Sequence, residues 1–561
     1  MGAIPAGERL ARAGAALASN ARSPSLRRAQ LSFLAAWTAE WAFTVGLGIV
    51  AYRDGGAAAV GLVGLLRMVP SALLTPLLSP FADRGRRERV LIAVSTLRAG
   101  ATGGAAAVVA LGGPTATVYV LAALSTIAGT LYRPAHSALL PSLCHSGYEL
   151  ASANVVRGLL DSTATLVGPL LAAALLELTG VAVVLAVACA ASLVAAGLLV
   201  GLRYDAPPRP DAPDDVTVLR SAAAGIQAVV RHRDVALIIG LAAAQAFTRG
   251  ALTVLTVVVA IDLLHAGEPG VGMLTAALGA GAVLGSLGAM FLADTRRLGV
   301  WFAVGIALWG LPVSFVGLVH RDAAVWALLA LVGVGNALID LSGFTLLARL
   351  GDDEVLARIF GVLESVVALL IGVGALASAQ LVELTDVRTT LVVMGLLCPL
   401  AALASLRRLR AMDRSVDGRN HDIALLQSVE MLRPLPLPAL ERLARSLEPV
   451  VVDAGDAVFE QGEIGDRYFV IESGEATVVG DGHVVASLGA GEGFGEIALL
   501  RRGRRTASVR AATELRLRAL RSEQFLPAVL GFTPSAREAG AVVDARLNRF
   551  SPRADDLEDP A

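Results

Sequence analysis

The chain has 561 residues, of which 55% are apolar and only 17% are charged, and its mean hydropathy is +0.66. This composition excludes an ordinary soluble protein, in which the charged share is larger. The net charge of −1 offers no basic field for nucleic acid. The length therefore fits one membrane body with an attached domain better than a series of soluble domains.

Twelve apolar runs, each long enough to cross a bilayer as a helix, fill most of residues 31–410. The runs lie at 31–52, 57–82, 90–112, 115–141, 150–176, 180–202, 235–261, 270–293, 299–319, 323–348, 355–383 and 388–406. Arginines concentrate on alternate breaks between the runs, which places those breaks and both termini in the cytoplasm. The sequence therefore predicts a multi-pass protein of the cell inner or plasma membrane, in contact with membrane lipid.

The twelve runs form two related halves of six, separated by the proline-rich break at 203–234. Ala42-Phe-Thr-Val-Gly46 in the first run returns as Ala246-Phe-Thr-Arg-Gly250 in the seventh run. Repeated halves of this kind enclose a central cavity that opens alternately to either side of the membrane. We therefore predict an all-α twelve-span membrane bundle made of two six-helix repeats.

The breaks after the second and eighth runs share a charged pattern. Asp83-Arg-Gly-Arg-Arg87 follows the second run, and Asp294-Thr-Arg-Arg297 follows the eighth. Both stretches resemble the signature loop of the major facilitator superfamily, which implies that they take part in a cytoplasmic gate. The gate residues implied by this resemblance are Asp83, Arg84, Arg86, Arg87, Asp294 and Arg296.

The fourth and fifth runs resemble the drug and siderophore exporter branch of the same superfamily. The resemblance is carried by Arg133-Pro-Ala-His136, Leu140-Pro141, Glu149-Leu-Ala151 and Asn154. The stretch Ala164–Ala173 is similar to the antiporter motif of these exporters. This similarity implies a secondary active exporter that works by antiport on a small-molecule substrate.

Ionisable residues inside apolar runs are expensive and mark functional positions by default. Glu40 is the candidate for proton coupling, because a carboxylate away from water binds a proton more readily. The alternatives are a structural ion pair or a place near the cytoplasmic interface, and a pair with Arg249 across the cavity also fits. Asp161 and Glu364 are expected to pair with loop arginines and to latch the cytoplasmic gate. The candidate transport and coupling residues are Glu40, Arg67, Arg249 and Asp340.

After residue 410 the sequence changes to short apolar alternations between glycine and aspartate turn signals. Strands of this length and spacing predict a small β-barrel or jelly roll, with a short helix before it and a closing helix after it. The predicted strands are Val450–Val452, Tyr468–Ile471, Ala476–Val479, Val484–Leu488 and Ala507–Arg510.

The sharpest motif of the sequence is Gly493-Phe-Gly-Glu496, followed by Arg504-Arg-Thr-Ala507. A glycine-led helical turn presents free N–H groups to an anion, and an arginine can hold the same phosphate with two hydrogen bonds. Glu496 would repel phosphate but suits a hydroxyl donor such as a ribose 2′-OH. The motif therefore predicts a site for a cyclic phosphate fused to a ribose.

This stretch closely resembles the phosphate-binding cassette of the cyclic nucleotide-binding domain. The resemblance implies that Arg505 binds the exocyclic phosphate oxygens and that Glu496 binds the ribose 2′-OH. Thr506 stands where cGMP-preferring members often have threonine, so cAMP and cGMP are both candidate ligands. A degenerate barrel that keeps the fold without the ligand is the alternative. The implied nucleotide-binding residues are Gly495, Glu496, Ile497, Ala498, Arg505, Thr506 and Ala507.

The sequence contains no Ser/His/Asp set and no metal-ligand spacing, so we predict no enzyme, no metal and no cofactor besides the nucleotide ligand. The function predicted is a transporter, proton-coupled and exporting small amphipathic molecules, regulated by the nucleotide. The alternative is a membrane-anchored cyclic-nucleotide receptor whose transporter-like scaffold does not transport. The predicted domains are a cytoplasmic tail at 1–30, half-bundles at 31–202 and 235–410 around a cytoplasmic loop at 203–234, a linker at 411–427, the nucleotide domain at 428–551 and a tail at 552–561.

Overall fold

The computed structural model divides the chain into two compact units, Met1–Met412 and Asp413–Ala561. Each unit has its own hydrophobic core. The structure describes residues 22–84, 86–144, 147–202, 226–227, 229–292, 297–319, 321–350, 353–501 and 503–547.

The first unit is a bundle of long apolar helices. In the described residues, eleven helical segments are long and apolar enough to cross a membrane. The helices are α1 Pro24–Arg84, α2 Arg87–Ala110, α3 Thr115–Gly129, α4 Tyr132–Leu143, α5 Gly147–Leu178, α6 Val181–Leu199, α7 Arg233–Val258 with a π-helical turn Val259–Leu263, α8 Gly267–Leu292, α9 Leu298–Val316, α10 Asp322–Leu350, α11 Asp353–Leu384 and α12 Val387–Ser428. The predicted helical membrane bundle is confirmed.

Helix α1 contains the first two of the twelve predicted runs. Gly55 and Gly56 leave helical geometry inside it, and Gly56 has a φ of +59°, which glycine adopts without a steric penalty. The chain changes direction at this point without a loop. Eleven long segments therefore hold the twelve predicted runs.

Glycines bring the membrane helices into backbone contact. A Cβ atom on Gly250 of α7 would lie 1.9 Å from the carbonyl oxygen of Ile371 in α11. A Cβ atom on Gly281 of α8 would lie 1.7 Å from the carbonyl oxygen of Ala330 in α10. Small residues at such crossings allow close van der Waals packing, which drives helix association in membranes.

The second unit is a β-sandwich flanked by helices. Its two antiparallel sheets have the strand orders β1-β8-β3-β6 and β2-β7-β4-β5. The strands are β1 Glu448–Val452, β2 Ala457–Phe459, β3 Arg467–Ser473, β4 Ala476–Gly480, β5 His483–Leu488, β6 Gly493–Phe494, β7 Ser508–Ala511 and β8 Leu515–Arg521. The helices are α13 Leu437–Arg445, α14 Glu496–Leu500, α15 Ser522–Leu530 and α16 Thr533–Leu547. The five predicted strands are confirmed. The sequence analysis did not name the strands β2, β6 and β8 or the helix α15.

Aromatic and branched side chains from both sheets fill the sandwich core. The ring centroids of Phe459, Phe469 and Phe494 lie 5.4 to 6.0 Å from one another. Strand β8 lies between β1 and β3, with Ala519 opposite Phe469. A separate cluster packs the flanking helices on the outside of this sheet through Tyr468. Both cores meet at the segment that carries the cassette motif.

Helix α12 runs through 411–427, which the sequence analysis treats as a linker. The segment contains no proline, and its residues other than Gly418 are compatible with a helix. The end of α12 belongs to the second unit, where Arg518 of β8 lies 3.4 Å from Asp422 and 3.2 Å from Glu472.

Candidate functional site

Helix α14 is preceded by Gly495, a glycine whose backbone conformation strains any other residue. Gly495 has a φ of +94°, and a Cβ atom there would lie 2.6 Å from Nη1 of Arg505. Glu496, Ile497 and Ala498 follow as the first turn of α14, and all three are buried. The first N–H groups of a helix have no partner within the helix, so this turn can donate to a ligand.

Arg505 lies beneath this turn and is only 5% exposed. Its Nη1 donates to the carbonyl oxygen of Gly495 and its Nη2 to that of Arg467, each at 2.8 Å. The guanidinium carbon lies 4.0 Å from the ring centroid of Phe459, and Nε is buried without a partner in the described residues. Burial lowers the pKa of Arg505, and nearby carboxylates, foremost Asp466, oppose the shift. A buried guanidinium with one free N–H suits a phosphate.

Glu496 is only 1% exposed, yet one of its carboxylate oxygens has no partner. Arg546 of α16 donates from Nη1 to Oε1 of Glu496 at 2.8 Å. Among the described residues, neither Oε2 of Glu496 nor the hydroxyl of Tyr468 finds a hydrogen-bond partner. Burial raises the pKa of Tyr468, and the charge of Glu496 raises it further. An unpaired acceptor in this position can receive a hydroxyl donor.

These side chains line one cavity of about 580 Å³, counted with its open mouth. The structure brings together there all seven residues predicted to bind the nucleotide. The lining consists of Phe459, Val478, Val485, Ala486, Leu488, Phe494, Gly495, Glu496, Ile497, Ala498, Arg505, Thr506, Ala507, Val509 and Arg546.

In the membrane unit, Glu40 is held by two arginines. Arg67 donates from Nη2 to Oε1 of Glu40 at 2.9 Å, and Arg98 donates to Oε2. Arg67 also donates from Nε to Oγ1 of Thr126 at 2.8 Å. The structure thus shows Glu40 in an ion-pair cluster of α1 and α2, and pairs it with Arg67 and Arg98 rather than with Arg249.

The remaining charged residues of the spans lie on other helices. Asp161 of α5 accepts from Nη2 of Arg133 at 2.9 and 3.0 Å. The expectation of a loop arginine as its partner is therefore wrong, because Arg133 belongs to α4. Arg249, Asp340 and Glu364 are exposed, and within the described residues none of them forms an ion pair.

The predicted gate loops lie largely outside the described residues. This holds for Asp294 and Arg296, and for the side chains of Asp83 and Arg84, whose backbone ends α1. Arg86 lies 2.6 Å from Glu88 in the first turn of α2, and Arg87 begins that helix.

Two polar contacts join the halves of the bundle at the ends of the first and seventh runs. Tyr52 donates to Oδ1 of Asp262 at 2.6 Å. Arg53 donates to both carboxylate oxygens of Glu268, at 2.6 and 2.7 Å. We call these four residues the outer latch, because this face is predicted to be extracytoplasmic. The sequence analysis did not name them, since nothing in the local pattern links positions more than 200 residues apart.

Each of the two units is similar to a known protein family. Residues 31–263 match the family model "Major Facilitator Superfamily", and residues 449–530 match "Cyclic nucleotide-binding domain". The chain is thus similar to the Major Facilitator Superfamily over part of its membrane unit and to cyclic nucleotide-binding domains over part of its second unit. The solved structure of the nucleoside transporter NupG shares the fold of the membrane domain, with a TM-score of 0.57 and 15% identity over 69% of this chain and 99% of that chain. The protein is therefore a multi-pass membrane protein.

The cyclic nucleotide-binding domain also has curated relatives. The chain is 42% identical over 95 residues to a cAMP-dependent protein kinase regulatory subunit of Schizosaccharomyces pombe, covering 17% of this chain and 23% of the relative. It is 41% identical over 101 residues to a cyclic nucleotide-gated potassium channel of Rhizobium etli, covering 18% of this chain and 28% of the relative. The chain thus spans about a quarter of the length of these relatives.

The structure adds Arg546 and Phe459 to the candidate nucleotide site. Arg546 lies 50 residues after Glu496, in a helix that the sequence analysis predicted only as a closing element. Nothing in the local pattern distinguishes it from Arg537 of the same helix. Phe459 lies on β2, a three-residue strand too short for its pattern to be visible.

Proposed function

We propose that the chain is a secondary active transporter of the major facilitator type whose activity is controlled by cAMP or cGMP. The matches to the two domain families support this combination. The observation that carries the regulatory part is the Glu496 carboxylate, which is 1% exposed and has an unpaired oxygen beside Arg505. A ligand with both a hydroxyl and a phosphate satisfies the two groups at once.

In this proposal Glu496 accepts a hydrogen bond from the ribose 2′-OH, and Arg505 donates to the exocyclic phosphate oxygens. The turn from Gly495 to Ala498 supplies backbone N–H groups to the phosphate. Thr506, which is exposed on the cavity wall, adds a hydroxyl that can form a hydrogen bond with either cAMP or cGMP. Burial makes the hydrogen bonds of Glu496 and Arg505 stronger than they are in water.

Titration calorimetry on the full chain in nanodiscs tests nucleotide binding. cAMP, cGMP and 2′-deoxy-cAMP are compared on the wild type and on Glu496→Gln. Loss of the 2′-OH should weaken binding by about tenfold on the wild type, since a hydrogen bond to a charged group contributes about 1.5–3 kcal/mol, but little on the variant. No binding of either cyclic nucleotide, or equal loss on both proteins, contradicts the proposed site.

Regulation requires that the nucleotide bind one transport state better than another, with a coupling free energy of about 1 to 3 kcal/mol. We propose that both termini are cytoplasmic, so that the nucleotide domain meets the cellular nucleotide pool. We also propose a cytoplasmic gate, formed by Asp83, Arg84, Arg86, Arg87, Asp294, Arg296, Asp161 and Glu364. Transport by proteoliposomes with and without nucleotide, in the wild type and in Arg505→Glu, gives the sign of the coupling. An identical nucleotide response of the two proteins would exclude this pocket as the regulatory site.

The finer part of the proposal is proton-coupled export of small amphipathic molecules. Glu40 is bound by both Arg67 and Arg98, so we assign it a structural role, and we propose Asp340, which forms no ion pair within the described residues, for proton exchange. Glu40→Gln should therefore reduce the yield of folded protein, whereas Asp340→Asn should reduce transport driven by a pH gradient. Undiminished pH-driven transport by Asp340→Asn would remove Asp340 from the coupling step.

A further inference from the structure

A series of hydrogen bonds connects a buried tryptophan to the Asp340 carboxylate inside the membrane unit. The indole Nε1 of Trp309 in α9 donates to Oδ1 of Asn336 in α10 at 3.3 Å. Nδ2 of Asn336 donates in turn to Oδ2 of Asp340 at 3.0 Å. Asp340 lies within the segment Asp322–Leu347, which is long and apolar enough to cross a membrane. We call Trp309, Asn336 and Asp340 the polar chain.

Glycines hold α9 and α10 close enough for this contact. A Cβ atom on Gly305, one turn before Trp309, would lie 3.1 Å from the carbonyl oxygen of Gly335. A Cβ atom on Gly335, which directly precedes Asn336, would lie 2.9 Å from the carbonyl oxygen of Gly305. Helix α10 is in backbone contact with α8 as well. Close packing against two neighbours restricts the rotation of α10, so its polar residues are held in one orientation.

The chemistry of the three side chains fixes the direction of the polar chain. An indole N–H only donates, so the atom of Asn336 that faces Trp309 is the carbonyl oxygen of the amide. The NH₂ group of the amide then faces Asp340 and can only donate to it. Trp309 is 4% exposed, and a reversed amide would leave its buried N–H without an acceptor. Asn336 is therefore held as a hydrogen-bond donor for Asp340.

A donor in this place stabilises the charged form of the Asp340 carboxylate. An N–H group forms a stronger hydrogen bond with a carboxylate than with a neutral carboxyl group. Among the described residues, Asn336 is the one hydrogen-bond partner of the Asp340 side chain. Protonation of Asp340 therefore has to weaken this hydrogen bond.

Charges on other helices also act on Asp340. Helix α9 carries no charged residue, and the one charged residue of α8, Glu268, belongs to the outer latch. None of the groups that act on Asp340 forms an ion pair with it in the part of the chain that the structure describes, and a change of Asn336 or Trp309 leaves all of these charges in place. The groups are Arg133 of α4, Asp161 of α5, Arg249 of α7 and Glu364 of α11, and Arg157 of α5 acts on the first two of them.

We propose that Asn336, oriented by Trp309, is a positioning residue that sets the pH at which Asp340 takes up a proton. The inference rests on the proposed role of Asp340 in proton exchange and adds the residues that control it. One proton from water neutralises the carboxylate, and the hydrogen bond from Asn336 weakens in the same step. Trp309 acts only through Asn336, from a helix that has no ionisable side chain of its own.

An infrared pH titration of the full chain in nanodiscs measures this protonation without any substrate. The absorbance of protonated carboxyl groups is followed with pH, and the component that is missing in Asp340→Asn belongs to Asp340. Asn336→Leu is nearly isosteric and cannot donate. In this variant the midpoint of the Asp340 component should move upward by about one pH unit, the effect of one hydrogen bond to a charged group. The amide band of the same spectra reports that each variant keeps its helices.

Trp309→Phe tests the positioning step. It removes the indole N–H and keeps an aromatic ring, so the Asn336 amide is free to turn, and the midpoint should move upward by less than in Asn336→Leu. Added to Asn336→Leu, Trp309→Phe should cause no further shift, because it acts only through the amide. Trp326→Phe changes an exposed tryptophan of α10 and is the matched control, which should titrate like the wild type.

An unchanged or lowered midpoint in Asn336→Leu overturns the inference, and so does an equal shift by Trp309→Phe with and without Asn336. Transport driven by a pH gradient in Asp340→Asn separates these results from the function on which the inference rests. The expected midpoints together with undiminished transport would refute proton coupling by Asp340 and leave the positioning role standing. Lost transport together with an unshifted midpoint in Asn336→Leu would refute the positioning role and leave proton coupling standing. An Asp340 that takes up no proton while the protein stays folded would refute both.

Discussion

Arg546 should compete with the nucleotide for Glu496, so its removal should strengthen nucleotide binding. In the structure Arg546 donates to Oε1 of Glu496 at 2.8 Å, on the wall of the nucleotide cavity. In the proposed complex a ribose hydroxyl satisfies the same carboxylate. While Arg546 is bound to Glu496, the nucleotide gains less binding free energy from this carboxylate. Arg546→Gln removes the competing contact.

The structure sets the size of the effect. A hydrogen bond to a charged group contributes about 1.5–3 kcal/mol. The Arg546 side chain is 25% exposed, so solvent screens the pair and the lower end applies. Loss of about 1.5 kcal/mol from the nucleotide-free protein, with the complex unchanged, tightens binding by about tenfold.

Titration calorimetry on the full chain measures the nucleotide affinity, and hydrogen–deuterium exchange measures the local stability of α14. Without nucleotide, amides of α14 should exchange faster in Arg546→Gln than in the wild type, because buried Glu496 has lost its partner. With saturating cAMP or cGMP the exchange rates should converge. Arg501→Gln is the control, since its pair with Asp544 is exposed at 3.5 Å and contributes little.

Weaker nucleotide binding in Arg546→Gln would refute the reasoning. It would mean that Arg546 contacts the bound nucleotide instead of occupying its place. Unchanged exchange of α14 without nucleotide would equally contradict it, since the ion pair would then contribute nothing to the local stability.

Three further predictions concern other residues. Tyr468→Phe should raise the stability of the nucleotide domain by about 1 kcal/mol in thermal unfolding, because it removes a buried hydroxyl without a partner; a lower stability would reveal a bond that the structure does not show. Arg53→Gln should speed substrate exchange in counterflow, because it opens the contact with Glu268, and an unchanged rate would exclude the outer latch from the transport cycle. Burial raises the pKa of Asp422, and Arg518 opposes the shift. The unfolding free energy of the wild type relative to Asp422→Asn should therefore fall as pH rises from about 4 through the folded-state pKa, and a difference that rises with pH would show that Arg518 dominates.

Much of the fold could be predicted because its signals are local. Runs of about 20 apolar residues mark spans whatever their neighbours are. The cassette from Gly493 to Ala507 keeps its ligand groups within one short segment, so the sequence alone indicates the site. Strand β8 could also have been predicted from the sequence, since Leu515, Leu517 and Ala519 alternate with arginines at a period of two.

The charge pairs could not be predicted, because they depend on how each helix is rotated against its neighbours. The sequence placed Glu40 and Arg249 inside spans but contained nothing to assign their partners. In the structure Glu40 pairs with Arg67 and Arg98 rather than with Arg249. Arg546 reaches Glu496 across 50 residues, again with no local pattern to show it.

In the orientation that we propose, the outer latch faces the external medium and is sensitive to its ionic composition. The Arg53 side chain in this pair is 55% exposed, so dissolved ions reach it freely. The Debye length is about 8 Å at 0.15 M ionic strength and about 3 Å at 1 M, so concentrated salt weakens the attraction to Glu268. A hypersaline or freshwater exterior would thus shift the equilibrium between bundles with the outer latch formed and bundles with it broken, at constant concentrations of substrate and nucleotide. External salinity would then influence transport in addition to the nucleotide, and it would act at the face opposite to the one where we place the nucleotide sensor.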